Sequence, residues 1–376
     1  MNAIASWLWD LVFRFTRTLD GPLLVALLAL MGIGLAVLYS AGGQEMALVQ
    51  SQAMRYLLGL GAMWLLSRVP LLRLRRATPA AWLLSLLPLV VVLFIGTGRS
   101  GAHWLNLGVF YFQPAELMKL SLPMMLAWYL GQGPSPPQFW QLLLALAIIS
   151  VSTGLILLQP DAGSAMLVAS SGVMVLYLAG LSRWWFIAAG GAVALGVGLA
   201  LFAPIDWFFM LKPYQQARIL TFRDPSSDPL GAGWNIIQSK IAIGSGGISG
   251  QGWGQGTQAY LNYVPEHTTD FIFSVLAEEF GWIGVSVVLA LYLFVIGRCV
   301  WIAMQARDSF ARLLAGTLGL ALFVYVLVNG GMVAGLLPVI GVPMPLLSYG
   351  GTAAVSLLAG MGVIMAVQAG NGVRRR

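Results

Sequence analysis

Charge is what this sequence has least of. Asp, Glu, Lys and Arg together make up 9% of its 376 residues, against about 25% in soluble domains. With 59% hydrophobic residues and a mean hydropathy of +0.84, the chain reads as a polytopic membrane protein. Cysteine occurs once, at Cys299. That excludes an intramolecular disulfide, and inside an apolar run the thiol reads as a small buried hydrophobe. Two histidines, His103 and His267, give no metal-ligand spacing. No Ser-His-Asp order and no thiol nucleophile is present, so any chemistry must use carboxylates and cations. The net charge of +7 would suit nucleic acid, but the basic residues gather in short connections and at the chain ends. That is the positive-inside pattern of a membrane protein, and no nucleic-acid partner is expected.

Long hydrophobic runs, by contrast, are abundant. A span needs roughly 20 apolar residues to cross about 30 Å of hydrocarbon. The sequence offers Pro22 to Ala41, then runs near 53–67, 79–97, 114–131, 138–158, 163–180 and 185–203. After a long polar interruption come runs near 282–303, 312–333 and 346–369. The expected fold class is therefore all-α, with ten transmembrane helices in one membrane domain covering 1–376. The first run lacks a convincing cleavage site and reads as an uncleaved span. Arg68, Arg73, Arg75, Arg76, Arg183, Arg298, Arg307, Arg312 and Arg374 to Arg376 then share the side of the N-terminus, which the positive-inside rule makes cytoplasmic. No repeat of fixed period is visible, so an inverted-repeat transporter gains no support.

The interruption at 204–270, between spans seven and eight, falls on the far side. A structureless connection of that length is either functional or disordered. Its spread of aromatics, Trp207, Tyr214, Phe222, Trp234, Trp253 and Tyr263, argues against disorder. It also keeps Lys212, Arg218, Arg223 and Lys240 outside, and an anionic ligand is one explanation; contact with lipid headgroups is the other. A shallow helix is expected near 234–243, with Trp234, Ile237 and Ile241 as its apolar stripe and Asn235 and Ser239 opposite. The glycine-rich run 231–256 contains no G-x-G-x-x-G, so a nucleotide site is not expected. Its glycines serve either tight turns or backbone amides that approach a diphosphate.

Several polar residues stand out at span ends. Asp270 precedes FIFSVLAEEF, where its carboxylate could cap a helix, act as a general base, or do both. Ser274 and Glu278 would follow it along the same helix face. In FQPAELMKL, Glu116 and Lys119 are three apart and so side by side, either as a salt bridge that holds the span or as a functional pair. Asp161, in LLQPDAGSA, is a helix cap or lines a polar cavity. The stretch 336–353, LLPVIGVPMPLLSYGGTA, has three prolines and a Gly-Gly pair and reads as a re-entrant turn, which membranes tolerate only against protein or water.

Taken together, FQPAELMKL, QPDAGSA, DPLGAGWNIIQSKIAIGSGGISGQGWGQGTQ, PEHTTDFIFSVLAEE and GVPMPLLSYGG resemble the SEDS family (shape, elongation, division and sporulation), more closely its RodA branch than its FtsW branch. The resemblance implies a peptidoglycan glycosyltransferase in the bacterial inner membrane that polymerises lipid II at the outer face for cell-wall elongation and rod shape. It implies a class B penicillin-binding protein as partner, with other elongation-complex membrane proteins and membrane lipids around it. The family's catalytic aspartate falls on Asp270, its glutamate–lysine pair on Glu116 and Lys119, and its QPD aspartate on Asp161. Forming a β-linkage from an α-linked lipid diphosphate inverts the anomeric centre, which needs one base, here Asp270. The leaving diphosphate needs cations: Lys119, Arg218, Arg223 or Lys240. The residues single out no cofactor, although a divalent cation such as Mg or Mn would suit a diphosphate. The rival readings are a lipid II flippase, a division-type polymerase and a scaffold that only recruits its partner.

Overall fold

The computed structural model describes residues 18–97, 103–106, 108, 111–204, 207, 213–227, 232–257 and 268–373. Helices occupy each of the ten apolar segments: α1 (Gly21–Ala41), α2 (Met46–Ser67), α3 (Leu71–Ile95), α4 (Ala115–Leu130), α5 (Phe139–Leu157), α6 (Ala162–Leu178), α7 (Arg183–Phe202), α10 (Ile272–Gln305), α11 (Ser309–Val333) and α12 (Gly351–Val373). Six of them, α1, α3, α5, α10, α11 and α12, are long and apolar enough to cross a membrane. A two-stranded hairpin, β1 (Leu105–Asn106) against β2 (Tyr111–Phe112), precedes α4.

Local chemistry sets several of these boundaries. Asp20 accepts from the Leu23 amide at 2.9 Å to start α1, and Asp308 does the same for α11 through Ala311. Such side-chain caps satisfy amides that a first turn leaves unpaired. At the start of α5, Gln138 and Gln141 form a reciprocal capping box.

Two apolar cores hold the bundle. One joins α1, α2, α10 and α12 around Tyr56, Phe271 and Tyr292. The other joins α3, α4, α5 and α6 around Met118, Leu122 and Phe310; α11 and α12 contribute to both. Outside these cores the bundle exposes large apolar residues, such as Leu83, Leu87 and Phe94 on α3 and Trp184, Trp185 and Phe202 on α7. Exposed apolar area on that scale marks a lipid-facing surface rather than a watered one. Polar pairs close one end of the bundle: Arg298 to Asp20 at 2.7 Å, Arg75 to Asp308 at 3.4 Å and Ser135 to the Ala179 carbonyl at 2.7 Å. The opposite end carries Asp161, Asp270 and the 336–350 segment.

The long connection is not structureless. It contains α8 (Pro213–Arg223), a 3₁₀ turn (Pro225–Ser227) and α9 (Ala232–Gly246). A helix therefore forms around the expected 234–243, but its buried face is different. Ile236, Ser239 and Ala242 are buried while Ile241 is 46% exposed, and Ser239 donates to the Val333 carbonyl at 2.7 Å. The reason is close backbone packing. A Cβ on Gly246 would lie 2.0 Å from the Ala277 carbonyl of α10, so the face with Ile236, Ser239 and Ala242 turns inward in place of the Trp234, Ile237 and Ile241 stripe.

The glycines that follow serve the same contact. At Gly281 (φ 60°, ψ −160°) α10 is broken, and the chain at 247–252 inserts there. The amides of Trp282 and Ile283 donate to Gly247 and Ile248, and those of Gln251 and Gly252 donate to the Glu278 and Glu279 carbonyls, all at 2.9–3.1 Å. A Cβ on Gly250 (φ 80°) would meet the Glu279 carbonyl at 2.1 Å. This backbone clasp sets off residues 272–280 as a separate first segment of α10, with Asp270 just ahead of it.

Candidate active site

The segment 336–350 is the hub of the site end, held by donors from several helices. Tyr56 of α2 donates to the Leu346 carbonyl at 2.8 Å, and the buried Tyr292 of α10 donates to that of Pro345. Ser348 receives the Met344 amide at 2.7 Å, which pins the turn on itself. Leu346 has a positive φ of 59°, a strained value for a side-chain-bearing residue. On Gly34 a Cβ would lie 2.3 Å from the Leu346 carbonyl, so α1 can approach only because that position is glycine. The prolines and the following Ser348-Tyr349 thus form the expected shaped turn, buried against protein.

Asp270 lies in the turn leading into α10. The cap position of that helix is Phe271, with no side-chain cap bond, so Asp270 stands one residue outside the predicted cap. Three consecutive carbonyls fix its backbone. The Tyr349 amide donates to Thr268 O at 2.8 Å, Ser348 Oγ to Thr269 O at 2.6 Å, and Asn329 Nδ2 to Asp270 O at 2.8 Å. Its carboxylate faces Gly341 (φ 71°), on which a Cβ would lie 3.5 Å from Oδ2. The start of α6, which Asp161 caps, packs on the same stretch. It caps α6 through the Ser164 amide at 3.0 Å and receives Gln113 Nε2 at 2.7 Å. The adjacent Gly163 packs so closely that a Cβ would come 2.5 Å from the Ile340 carbonyl. The helix that Asp161 caps and the Asp270 carboxylate therefore both approach residues 340–341.

Glu116 and Lys119 lie beneath it. Lys119 Nζ donates to Glu116 Oε1 at 2.5 Å, Ser356 Oγ donates to Oε2 at 2.6 Å, and the ammonium sits 5.2 Å from the Tyr325 ring centre. With these residues, α4, α11, α12 and the underside of 343–350 line a cavity of about 70 Å³. Asp270 and Asp161 are not among its lining residues. Side chains of Lys119 and Glu116 are 11% and 5% exposed, so the lysine is an internal charge neutralised by its glutamate.

Other predicted positions separate from this arrangement. Ser274 is fully buried and bonds back to the Phe271 carbonyl at 2.7 Å. Glu278 is also buried and is engaged by Thr257 through its amide at 2.8 Å and its hydroxyl at 3.1 Å. The expected polar line from Asp270 is therefore closed off, because residues 271–279 are buried on every side. Arg223 donates to the Ala203 carbonyl at 2.6 Å, closing the end of α7. Lys240 is exposed, its chain lying over Gly335, where a Cβ would meet Nζ at 2.7 Å. The Arg218 side chain and Lys212 lie outside the described residues. Among the described residues no three His, Cys, Asp or Glu side chains come together.

Sequence reasoning passed over Asn329, Gln113, Tyr325 and Ser356. A lone asparagine in the apolar run VLVNGGM was the available signal for the first, since polar residues inside spans are costly and rarely idle.

The comparisons agree with this architecture. The model of the family described as "Cell cycle protein", which groups FtsW, RodA and SpoVE, matches residues 21–372. The chain is 45% identical over 360 residues to "Peptidoglycan glycosyltransferase MrdB" of Escherichia coli K12, covering 96% of this chain and 94% of that protein. It is 37% identical to "Probable peptidoglycan glycosyltransferase FtsW" of Halorhodospira halophila, over 94% of this chain and 89% of that protein. A solved structure described as "Structural coordination of polymerization and crosslinking by a peptidoglycan synthase complex" superposes with a TM-score of 0.80 at 32% identity, covering 94% of this chain and 98% of that one. The rod shape determining protein RodA of Thermus thermophilus superposes with a TM-score of 0.70 at 29% identity, over 93% and 96% of the two chains. On this match along nearly its whole length, the chain belongs to the FtsW/RodA/SpoVE family, on its RodA side.

Proposed function

We propose that the chain is a peptidoglycan glycosyltransferase of the elongation type, which polymerises lipid II at the outer face of the bacterial cytoplasmic membrane. The observation that carries this reading is the 45% identity to a named peptidoglycan glycosyltransferase over 96% of the chain. All ten apolar helices are taken as spans, with both termini cytoplasmic and Asp161, Asp270 and the 204–270 connection outside. The antiparallel alternation of the helices supports this, as do the Arg298–Asp20 and Arg75–Asp308 pairs, which gather basic residues at one end.

In the reaction, Asp270 accepts the proton of the attacking sugar hydroxyl while that oxygen bonds to the anomeric carbon of the second sugar. The bond from that carbon to the lipid diphosphate breaks, and the diphosphate leaves with the electron pair. One base suffices for inversion, and a diphosphate leaves as an anion that cations stabilise. Lys240, exposed at the same end, and Arg218 of α8 are the candidates. Arg223 would first have to release the α7 carbonyl that it holds. A divalent cation, if used, would sit on the diphosphate. Glu116 and Lys119 support the segment above them.

A class B penicillin-binding protein is the proposed partner, in keeping with the superposition on a synthase complex that couples polymerisation with crosslinking. The test is purified protein with such a partner, given lipid II in detergent and followed for glycan chains by gel electrophoresis. Chains are expected with this protein present and not with the partner alone. Lipid II left unpolymerised, yet moved across vesicle membranes, would favour transport instead.

A further inference from the structure

Asn329, in the last turns of α11, is fully buried in an otherwise apolar stretch. Its amide nitrogen donates twice, to Asp270 O at 2.8 Å and to Val342 O at 2.7 Å. Both acceptors are carbonyls, so the amide has one sensible orientation; turned over, its oxygen would face two other oxygens. That oxygen is buried with no hydrogen-bond partner among the described residues. A buried acceptor left unsatisfied is costly, and the site retains it in order to aim both N–H groups at these two carbonyls.

The two carbonyls belong to the two strands of chain that must be registered for Asp270 to work. One is its own peptide. The other is next to Gly341, the residue that its carboxylate faces. We infer that Asn329 is a positioning residue: it sets the spacing between Asp270 and the 340–342 stretch, and with it the direction in which the carboxylate meets an incoming hydroxyl. Ser348, on the Thr269 carbonyl, is the second fastening of the same turn. This inference rests on Asp270 as the base.

The test uses the full chain with its partner and lipid II, measuring kcat and KM separately. Asn329→Ala is expected to lower kcat by about 100-fold, the scale of a 1 Å misplacement of a reacting group, with KM changed less than about threefold. Asn329→Ser, whose hydroxyl can donate to one of the two carbonyls but not both, should fall between Asn329→Ala and the parent. A role confined to stability would lower the amount of folded protein without moving kcat per folded molecule. If Asn329→Ala does not accumulate, Asn329→Ser and Ser348→Ala carry the comparison, each expected to lower kcat by about 10-fold on the same scale. A parental kcat in folded Asn329→Ala or Asn329→Ser would overturn the inference. If Asp270→Asn were inactive in the same assay, that result would leave the base reading standing. An active Asp270→Asn would instead remove the base reading itself.

Discussion

Removing Lys119 alone should destabilise the protein more than removing both charges of its pair. In Lys119→Met the buried Glu116 keeps the Ser356 hydroxyl at 2.6 Å as donor, but loses its counter-charge at 2.5 Å. Breaking a buried pair from one side costs about 3–5 kcal/mol, whereas replacing both members with neutral groups is often close to neutral. Glu116→Gln combined with Lys119→Met keeps an acceptor for Ser356 and leaves no charge behind. The two changes should therefore couple by at least about 2 kcal/mol, against the 0–1 kcal/mol typical of an exposed pair. A Coulomb attraction of about 4 kcal/mol for unit charges 4 Å apart at an effective dielectric of 20 is consistent with that size. The measurement is a double-mutant cycle on denaturant unfolding in mild detergent, followed by tryptophan fluorescence. Additive single costs, with coupling below about 0.5 kcal/mol, would refute the reasoning and leave Lys119 free for a substrate anion.

Other outcomes follow from the same geometry. Gly250→Ala puts a Cβ 2.1 Å from the Glu279 carbonyl at φ 80°, so it should destabilise by about 1–3 kcal/mol as an overpacked site does, and lower polymerisation. Limited proteolysis of the 247–257 stretch would report the opened clasp. At the opposite end, burial pushes the Asp20 carboxyl up, but bonds from Arg298, the Leu23 amide and Gln368, with the Arg298 charge, outweigh it and hold the group below its ordinary 3.8. A depressed carboxyl stabilises above its unfolded value, and that contribution is lost as pH falls through the folded one. Asp20→Asn should accordingly lower the melting temperature at pH 7 and flatten its fall below about pH 4 in a detergent melt.

The sequence carried the helices well because their signal is local. Runs such as 79–97 and 312–333 need only length and hydropathy, and helices appear there at Leu71–Ile95 and Ser309–Val333. The re-entrant turn was legible for a similar reason: three prolines and a Gly-Gly pair can scarcely continue a helix. What failed depended on distant partners. The apolar stripe of α9 was misassigned because its inner face is chosen by the approach of Gly246 to α10, which places Ser239 inside and Ile241 outside. Ser274 and Glu278 were aligned with Asp270 by helical spacing alone, yet residues 271–279 are buried on every side, so no face of that segment is left open. Glu116 and Lys119 were paired correctly at spacing three, but Ser356, 240 positions away from Glu116 in the chain, completes the pair. Asn329 binds two carbonyls from segments on either side of it, and no local pattern encodes such a bridge.

The most direct measurement is single-turnover glycan formation by Asp270→Asn, assembled with the proposed class B penicillin-binding protein and saturated with lipid II. Asparagine keeps the size of the side chain but cannot accept the proton, so the rate should fall by about 10²–10⁴-fold, the usual worth of a general base, with substrate still bound. A rate within a few-fold of the parent would contradict the account, because the hydroxyl would then be losing its proton to something other than this carboxylate.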